Sequence, residues 1–371
     1  MSIPFVDLLA QHAEVADEVR AGLDEVFAAT AFVGGPAVSA FEADYAAYVG
    51  AAHCIGVANG TDALELALRA VGVRPGGEVI VPANTFIATA EAASRIGAVP
   101  VPVDVDPVHL LMDPAAVRAA VGPRTEAIVP VHLFGQVAPV EELGKIAADA
   151  GVPLIEDAAQ AQGARRNGRS AGTFGLAAGT SFYPGKNLGA AGDGGAVTTS
   201  DAQVARSVRV IAAHGSAHKY DHEVIGFNSR LDTVQAVVLA AKLRRLEAWN
   251  AARRAAADRY AVLLDGVDAV QLPTTAEGNE DIWHLYVVQV DERDRVLAEL
   301  SAAGIGVGIH YPTPVHLTAA YADLGLGRGA FPVAEAAADR ILSLPMFPHL
   351  TSGQQEQVVE QLARSVARTA P

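Results

Sequence analysis

A chain of 371 residues exceeds the size at which one core keeps growing, so it predicts two packed domains or a large domain with a smaller appendage. Apolar residues make up 51% and charged residues 19%, and the single cysteine, Cys54, excludes an internal disulfide and any zinc site built from several thiolates. The formal charge of -15 would repel a polyanion, which argues against nucleic acid as a partner but leaves room for a small phosphorylated ligand held by local donors.

The segment from Met1 to Ala10 carries Asp7 and lacks a basic start followed by an apolar run, so no secretory signal is expected. Short apolar runs then alternate with amphipathic stretches from about residue 50 to 200, the rhythm of parallel strands joined by crossover helices. It predicts strands at His53–Ala58, Glu78–Pro82, Val99–Val105, Ala127–Leu133, Pro153–Asp157, Thr180–Tyr183 and Ala196–Thr199. From Leu231 to about Leu264 apolar residues recur at helical spacing, a segment expected to lead out of the large domain. Beyond Gly266 come an expected strand over Ile282–Val290, a helix from Arg293 to Ala303, a strand over Ile305–Tyr311 and a last helix near Ser352–Arg368. The charge-free stretch Leu300–Ala322 holds three glycines, two prolines and two histidines, so no membrane span is expected and a cytoplasmic location follows.

The loop Ser181 to Gly189, followed by Gly192-Asp193-Gly194-Gly195, holds a single lysine, Lys186. A lone loop lysine is ordinarily solvated, but one in a sheltered turn can lose its proton and attack a carbonyl carbon to form a Schiff base. Asp157 ends the apolar run Val152–Ile155, and open α/β sheets gather such strand ends, with their ligands, at one edge. An acidic residue that keeps a ring nitrogen protonated, beside a lysine that holds an aldehyde, is what pyridoxal phosphate requires. The turn Asn59-Gly60-Thr61 opens a predicted helix, whose free N–H groups and dipole suit a phosphate, although plain helix capping would use the same residues. In Pro82 to Thr89 another strand end meets a helix start, and Phe86 offers a ring to stack on a flat ligand. Ser181 could add a hydroxyl to the phosphate, and Gln160 could reach a ring substituent.

In this order the motifs resemble the DegT/DnrJ-type nucleotide-sugar aminotransferases over nearly the whole chain. The matching segments include Phe32 to Pro36, Val131 to Gln136, Glu156 to Gln160 and Gly226 to Arg230. The resemblance implies a fold-type I α/β architecture like that of aspartate aminotransferase. A mixed, mostly parallel seven-stranded sheet flanked by helices would form a cofactor-binding domain over residues 1–250, with a smaller α+β domain over 251–371. It also implies pyridoxal 5'-phosphate on Lys186, with Asp157 at the ring nitrogen, Phe86 stacked and Gln160 at the ring oxygen. Gly60, Thr61 and Ser181 would hold the phosphate. Asn228 would reach it from the neighbouring subunit of a homodimer with shared active sites. Tyr183, Arg230, His310 and Tyr311 match positions on the substrate side, with His316 a weaker candidate.

The expected reaction moves an amino group from an amino-acid donor, L-glutamate by resemblance, to a 3-keto or 4-keto deoxysugar linked to dTDP or UDP. A cyclitol ketone is the enzymatic alternative, and a noncatalytic regulatory protein on the same scaffold is the alternative from another class. Lys186 argues against the branch of the family that has histidine there and dehydrates its substrate. Gln162 departs from the histidine that many relatives carry. His214, His218 and His222 recur every four residues, but Gly215 and the polar run after it suggest a loop, and no metal site is expected.

Overall fold

Burial on both faces makes a parallel strand a continuous apolar run, and Val79 to Pro82 is such a run, buried throughout. In the computed structural model, which describes residues 2–367, it lies inside a seven-stranded sheet. The strands are β1 (His53–Val57), β2 (Glu78–Pro82), β3 (Val99–Val103), β4 (Thr125–Ile128), β5 (Ile155–Asp157), β6 (Ala177–Ser181) and β7 (Gly195–Thr199). β2 pairs in parallel with β3 and β4, and β5 in parallel with β6. Parallel bridges Ile128 to Leu154 and Val131 to Asp157 join the two groups. The spatial order is therefore β3-β2-β4-β5-β6-β7-β1, with β7 antiparallel to both of its neighbours.

The helices α1 (Gly60–Ala70) and α2 (Ala88–Arg95) cover one face of this sheet, and α3 (Val140–Ala150) covers the other. β6 reads Ala-Ala-Gly-Thr-Ser, and a Cβ on Gly179 would lie 2.9 Å from Leu64 Cδ2. Small residues there let α1 lie directly on the strand. That composition also explains why the sequence predicts β6 too late, at Thr180: alanine and glycine carry little strand propensity.

Helix α4 (Thr233–Leu263) runs 31 residues from the core beside Phe41 and Phe182 to a second core around Tyr260. That second core lies beneath β8 (Tyr286–Val290), packed with α5 (Arg293–Ala302) and α7 (Ser352–Ala367). The expected end of the last helix at Arg368 lies outside the described residues. Three expectations are corrected. Residues 282–285 form a turn before β8, with Trp283 at φ 47°. The strand expected at Ile305–Tyr311 is extended chain with single bridges at Ile305 and Gly308, because the Gly304, Gly306 and Gly308 positions give no row of side chains to pack. The partner of β8 is instead β9 (Ile341–Leu344), after α6 (Pro332–Arg340), with Tyr286 opposite Leu344. The strand expected through Leu133 also stops at Ile128, and Leu133–Gly135 forms a tight 3-10 turn with Phe134 at φ 62°.

Arg253 on α4 is 1% exposed and donates to the carbonyls of Trp283 and Met346, both at 3.0 Å. Burial pulls this guanidinium down to about 9. Nearby, Asp281 is 4% exposed, accepts a hydrogen bond from Thr275 at 2.7 Å, and keeps Oδ1 without a partner. Burial pushes its carboxyl up to about 7. A folded state that holds this proton more tightly than the unfolded chain loses stability as pH rises from about 4 to about 7. Asp281→Asn keeps the bond from Thr275 and cannot ionise. It is expected to melt above the parent protein at pH 8, with the difference vanishing near pH 4, as read by thermal unfolding across that range.

Candidate active site

The carboxyl ends of β5 and β6 open into a cavity of about 500 Å³. The connection from β6 to β7 folds back over it, held by hydrogen bonds from Phe182 N to Gly194 O and from Ala190 N to Phe182 O, both 2.8 Å. This connection carries Lys186, whose own N–H donates to Tyr183 O at 2.8 Å. Burial pushes the Lys186 ammonium down to about 8, opposed by the Asp157 charge. A useful fraction of the amine is therefore neutral near physiological pH, as a nucleophile must be.

Asp157 ends β5 and is 5% exposed. Thr89 donates to its Oδ2 at 2.7 Å and the Ala159 N–H to its Oδ1 at 3.1 Å. Since Thr89 donates to the carboxylate, Thr85 is the donor in the 2.7 Å bond between the two hydroxyls. Burial raises the Asp157 carboxyl above the usual range, and Thr89, Ala159, Lys186 and His132 oppose the rise. A carboxylate starved of water in this way favours a cationic neighbour, which a protonated ring nitrogen would be.

At the other side of the cavity α1 begins. The Asn59 side chain takes the Asp62 N–H at 2.8 Å and the Asn59 carbonyl takes that of Ala63, which leaves the Gly60 and Thr61 N–H groups to the cavity. Asp62 is turned away into an ion pair with Arg95 at 3.2 Å, so its charge does not compete at the helix start. A Cβ on Gly60 would lie 2.6 Å from Ser181 Cβ. Only glycine lets the Ser181 hydroxyl sit beside the free amides. Two amides, a hydroxyl and a helix dipole form an anion cradle, and the buried acid and the amine face the same space. The residues present fit pyridoxal phosphate.

Phe86, half exposed, stands with its ring 5.3 Å from that of Tyr311 and tilted by 41°. Gln160 is tied at both ends, accepting from Phe134 N at 2.7 Å and donating to Tyr311 Oη at 3.0 Å. It therefore positions Tyr311 as well as lining the cavity. His310 bonds Ser343 Oγ through Nδ1 at 2.8 Å and stacks on Phe5 with ring centres 5.5 Å apart. Burial, with Lys186, pulls His310 down to about 4, so its ring is neutral. Burial pushes the Tyr311 hydroxyl up, so it stays protonated. Gln162 donates to Thr180 Oγ1 at 3.0 Å and to Ser181 O at 2.8 Å, below the site.

One cavity thus brings together Gly60, Thr61, Phe86, Asp157, Gln160, Ser181, Tyr183, Lys186, His310 and Tyr311. It does not include Asn228 or Arg230, which lie exposed on a segment bridged to Ala213. His316 is buried away from it, bonded to Glu335 at 3.0 Å. Sequence reasoning passed over Thr85 and Thr89, although both stand in the Pro82 to Thr89 motif. It also missed Phe5 and His284, for which no local signal exists.

The DegT/DnrJ/EryC1/StrS aminotransferase family matches residues 13–363. The chain is 49% identical over 362 residues to the erythromycin biosynthesis sensory transduction protein EryC1 of Saccharopolyspora erythraea, covering 98% of this chain and 99% of that one. It is 45% identical over 358 residues to the dTDP-3-amino-3,4,6-trideoxy-alpha-D-glucose transaminase of Streptomyces venezuelae, covering 96% and 94%. Among solved structures, S. venezuelae DesV in complex with a ketimine intermediate superposes with a TM-score of 0.97 at 44% identity, covering 100% of both chains. Bacillus subtilis NtdA with bound cofactor PMP gives 0.92 at 30%, covering 99% of this chain and 85% of that one. Seven strands in this order, a lysine over their carboxyl ends and a family match across nearly the whole length lead to one assignment: the chain belongs to the DegT/DnrJ/EryC1/StrS aminotransferase family.

Proposed function

We propose that this enzyme transfers an amino group from an amino-acid donor, L-glutamate, to a 3-keto or 4-keto deoxysugar linked to dTDP or UDP, in the cytoplasm. The observation that carries the reading is the placement of Lys186, Asp157 and the free amides of α1 around one cavity. Similarity to a dTDP-sugar transaminase over nearly the full length supports the substrate class.

When bound, pyridoxal phosphate supplies an aldehyde carbon for the amine and a ring that accepts electrons. The Gly60 and Thr61 N–H groups with the Ser181 hydroxyl bind its phosphate, and Asp157, held by Thr89, sets the ring nitrogen. Phe86 closes one face, and Gln160 supports the ring oxygen. Lys186, neutral in part near pH 8, would be both the attachment point and the base that moves a proton between the substrate carbon and the cofactor carbon in each half of the reaction. Tyr183, His310 and Tyr311 form the substrate side of the cavity, and Arg230, which lies outside it in a single chain, would join them from a second copy. Asn228, exposed here, comes from a second copy of the chain to complete the phosphate site of a homodimer.

The full-length protein with pyridoxal phosphate is expected to release 2-oxoglutarate from L-glutamate while its visible absorbance band disappears. Keto sugars on dTDP, keto sugars on UDP and a cyclitol ketone, added in turn, then report the acceptor by return of the band. Failure to release a 2-oxo acid from any amino donor would overturn the proposal.

A further inference from the structure

Thr85 and Thr89 stand beside the start of α2, yet among the described residues neither hydroxyl caps the helix. Threonine at such a place ordinarily gives its side chain to the helix backbone. Here the two hydroxyl oxygens lie 2.7 Å apart, and that of Thr89 lies 2.7 Å from Asp157 Oδ2. Both threonines are at most 2% exposed, so bulk water does not compete for these bonds. The Ala159 N–H takes Oδ1 at 3.1 Å, which leaves one lone pair on each carboxylate oxygen for a ligand.

The row of oxygens has two polarities. With Asp157 ionised, Thr85 donates to Thr89 and Thr89 to the carboxylate, so every hydrogen has an acceptor. With Asp157 protonated at Oδ2, the carboxyl donates to Thr89 and Thr89 to Thr85, and the Thr85 hydrogen has no protein acceptor among the described residues. The first polarity is the satisfied one. We propose that Thr89 is a positioning residue for Asp157: its hydroxyl, with that of Thr85 behind it, holds the carboxylate ionised and in one orientation for the ring nitrogen of pyridoxal phosphate. The same segment brings Phe86 to the cavity, so one short stretch of chain sets both a face of the ring and the state of its acid. The other titratable groups facing Asp157 are Lys186 from the lysine loop, His132 from the chain after β4 and Tyr311 opposite. No side chain but Thr89 is hydrogen-bonded to the carboxylate among the described residues.

The inference rests on Asp157 being the partner of the ring nitrogen, but its first readout needs no cofactor. In the full-length protein carrying ¹³C at the aspartate carboxyls, the Asp157 resonance is identified by its loss in Asp157→Asn and then titrated. Removing a donor to the charged form favours the neutral form. In Thr89→Val the Asp157 midpoint is therefore expected to rise by about one pH unit, an about tenfold shift toward the protonated acid. Thr89→Ser keeps the hydroxyl and is expected to restore the parent value. With pyridoxal phosphate labelled with ¹⁵N at its ring nitrogen, the valine variant should lose the ring proton at lower pH than the parent, and serine should again restore it. If the cofactor does not bind the parent protein, the reading of the site fails while the carboxyl titration still decides the role of Thr89. A folded valine variant with the parent midpoint, or a serine variant that restores nothing, would overturn the proposal. Should the valine variant not fold, the cofactor-free parent decides: an ionised Asp157 at pH 7 supports the proposal, and a protonated one ends it.

Discussion

Lys186→Ala is expected to lose turnover by a factor on the order of 10⁴ or more, because one residue is both attachment point and proton carrier, and general acid–base catalysis alone contributes about 10²–10⁴. The fold should survive, since the side chain lines a cavity and only the main chain of Lys186 holds the loop, through its bond to Tyr183 O. The visible band of the lysine-bound cofactor should be absent, while the phosphate cradle at α1 still binds the cofactor noncovalently. Reduction with borohydride followed by mass spectrometry checks this directly. The parent chain should gain the cofactor mass on the peptide containing Lys186, and the variant should gain none. Label on another lysine, or full activity in the variant, would reassign the centre.

The largest effect on stability is expected one residue before the acid of the site. Glu156 is fully buried and accepts four hydrogen bonds: from His132 Nε2 at 2.8 Å and from the N–H groups of Gly172, Phe174 and Gly175 at 2.6–2.7 Å. His132 accepts from Ala138 N through Nδ1 at 3.1 Å, which places its proton on Nε2 and makes it a donor to Glu156. Alanine at position 156 would strand four donors in the interior, at a cost of about 3–5 kcal/mol given that such losses do not add. Urea unfolding should show a lower midpoint with an unchanged slope, and Glu156→Gln should fall between the two. An alanine variant as stable as the parent would show that water replaces the carboxylate. His132 N also donates to the carbonyl of Asp157 at 3.0 Å, so cofactor affinity should fall along with stability.

The parts of the site legible in the sequence are those marked by local punctuation. Lys186 stands alone in a glycine-dense loop after a strand, Asp157 ends an apolar run, and Gly60 opens a helix. Each is a strand end, and the topology of a parallel sheet gathers strand ends without any knowledge of side-chain contacts. The Glu156 staple, the hydroxyl relay from Thr85 to Thr89, and the path from Asn250 through Asn187 to His284 join residues from 4 to 97 positions apart. Nothing in the spacing of one sequence reports such pairs. The small sheet was misread for a related reason. Apolar residues around Ile305 imitate a strand, while the true partner of β8, Ile341–Leu344, follows α6 with no turn signal between them. Asn228 and Arg230 show the converse, since resemblance placed them at a site that a single chain does not bring them to.

Helix α4 gives the molecule its mechanics. At 31 residues it extends about 47 Å, and it is rooted in one core at one end and the second core at the other, with Arg253 clamped to the turn before β8 and to the chain just after β9. A continuous rod anchored this way resists bending at the junction, because any hinge there would have to break a run of helical hydrogen bonds. The aperture of the cavity is consequently set by side chains at its rim, such as Phe86 and Tyr183, and by the chain around Phe5. Adapting this frame to acceptors of different size is then a matter of exchanging rim residues, while the distance from amine to acid stays constant.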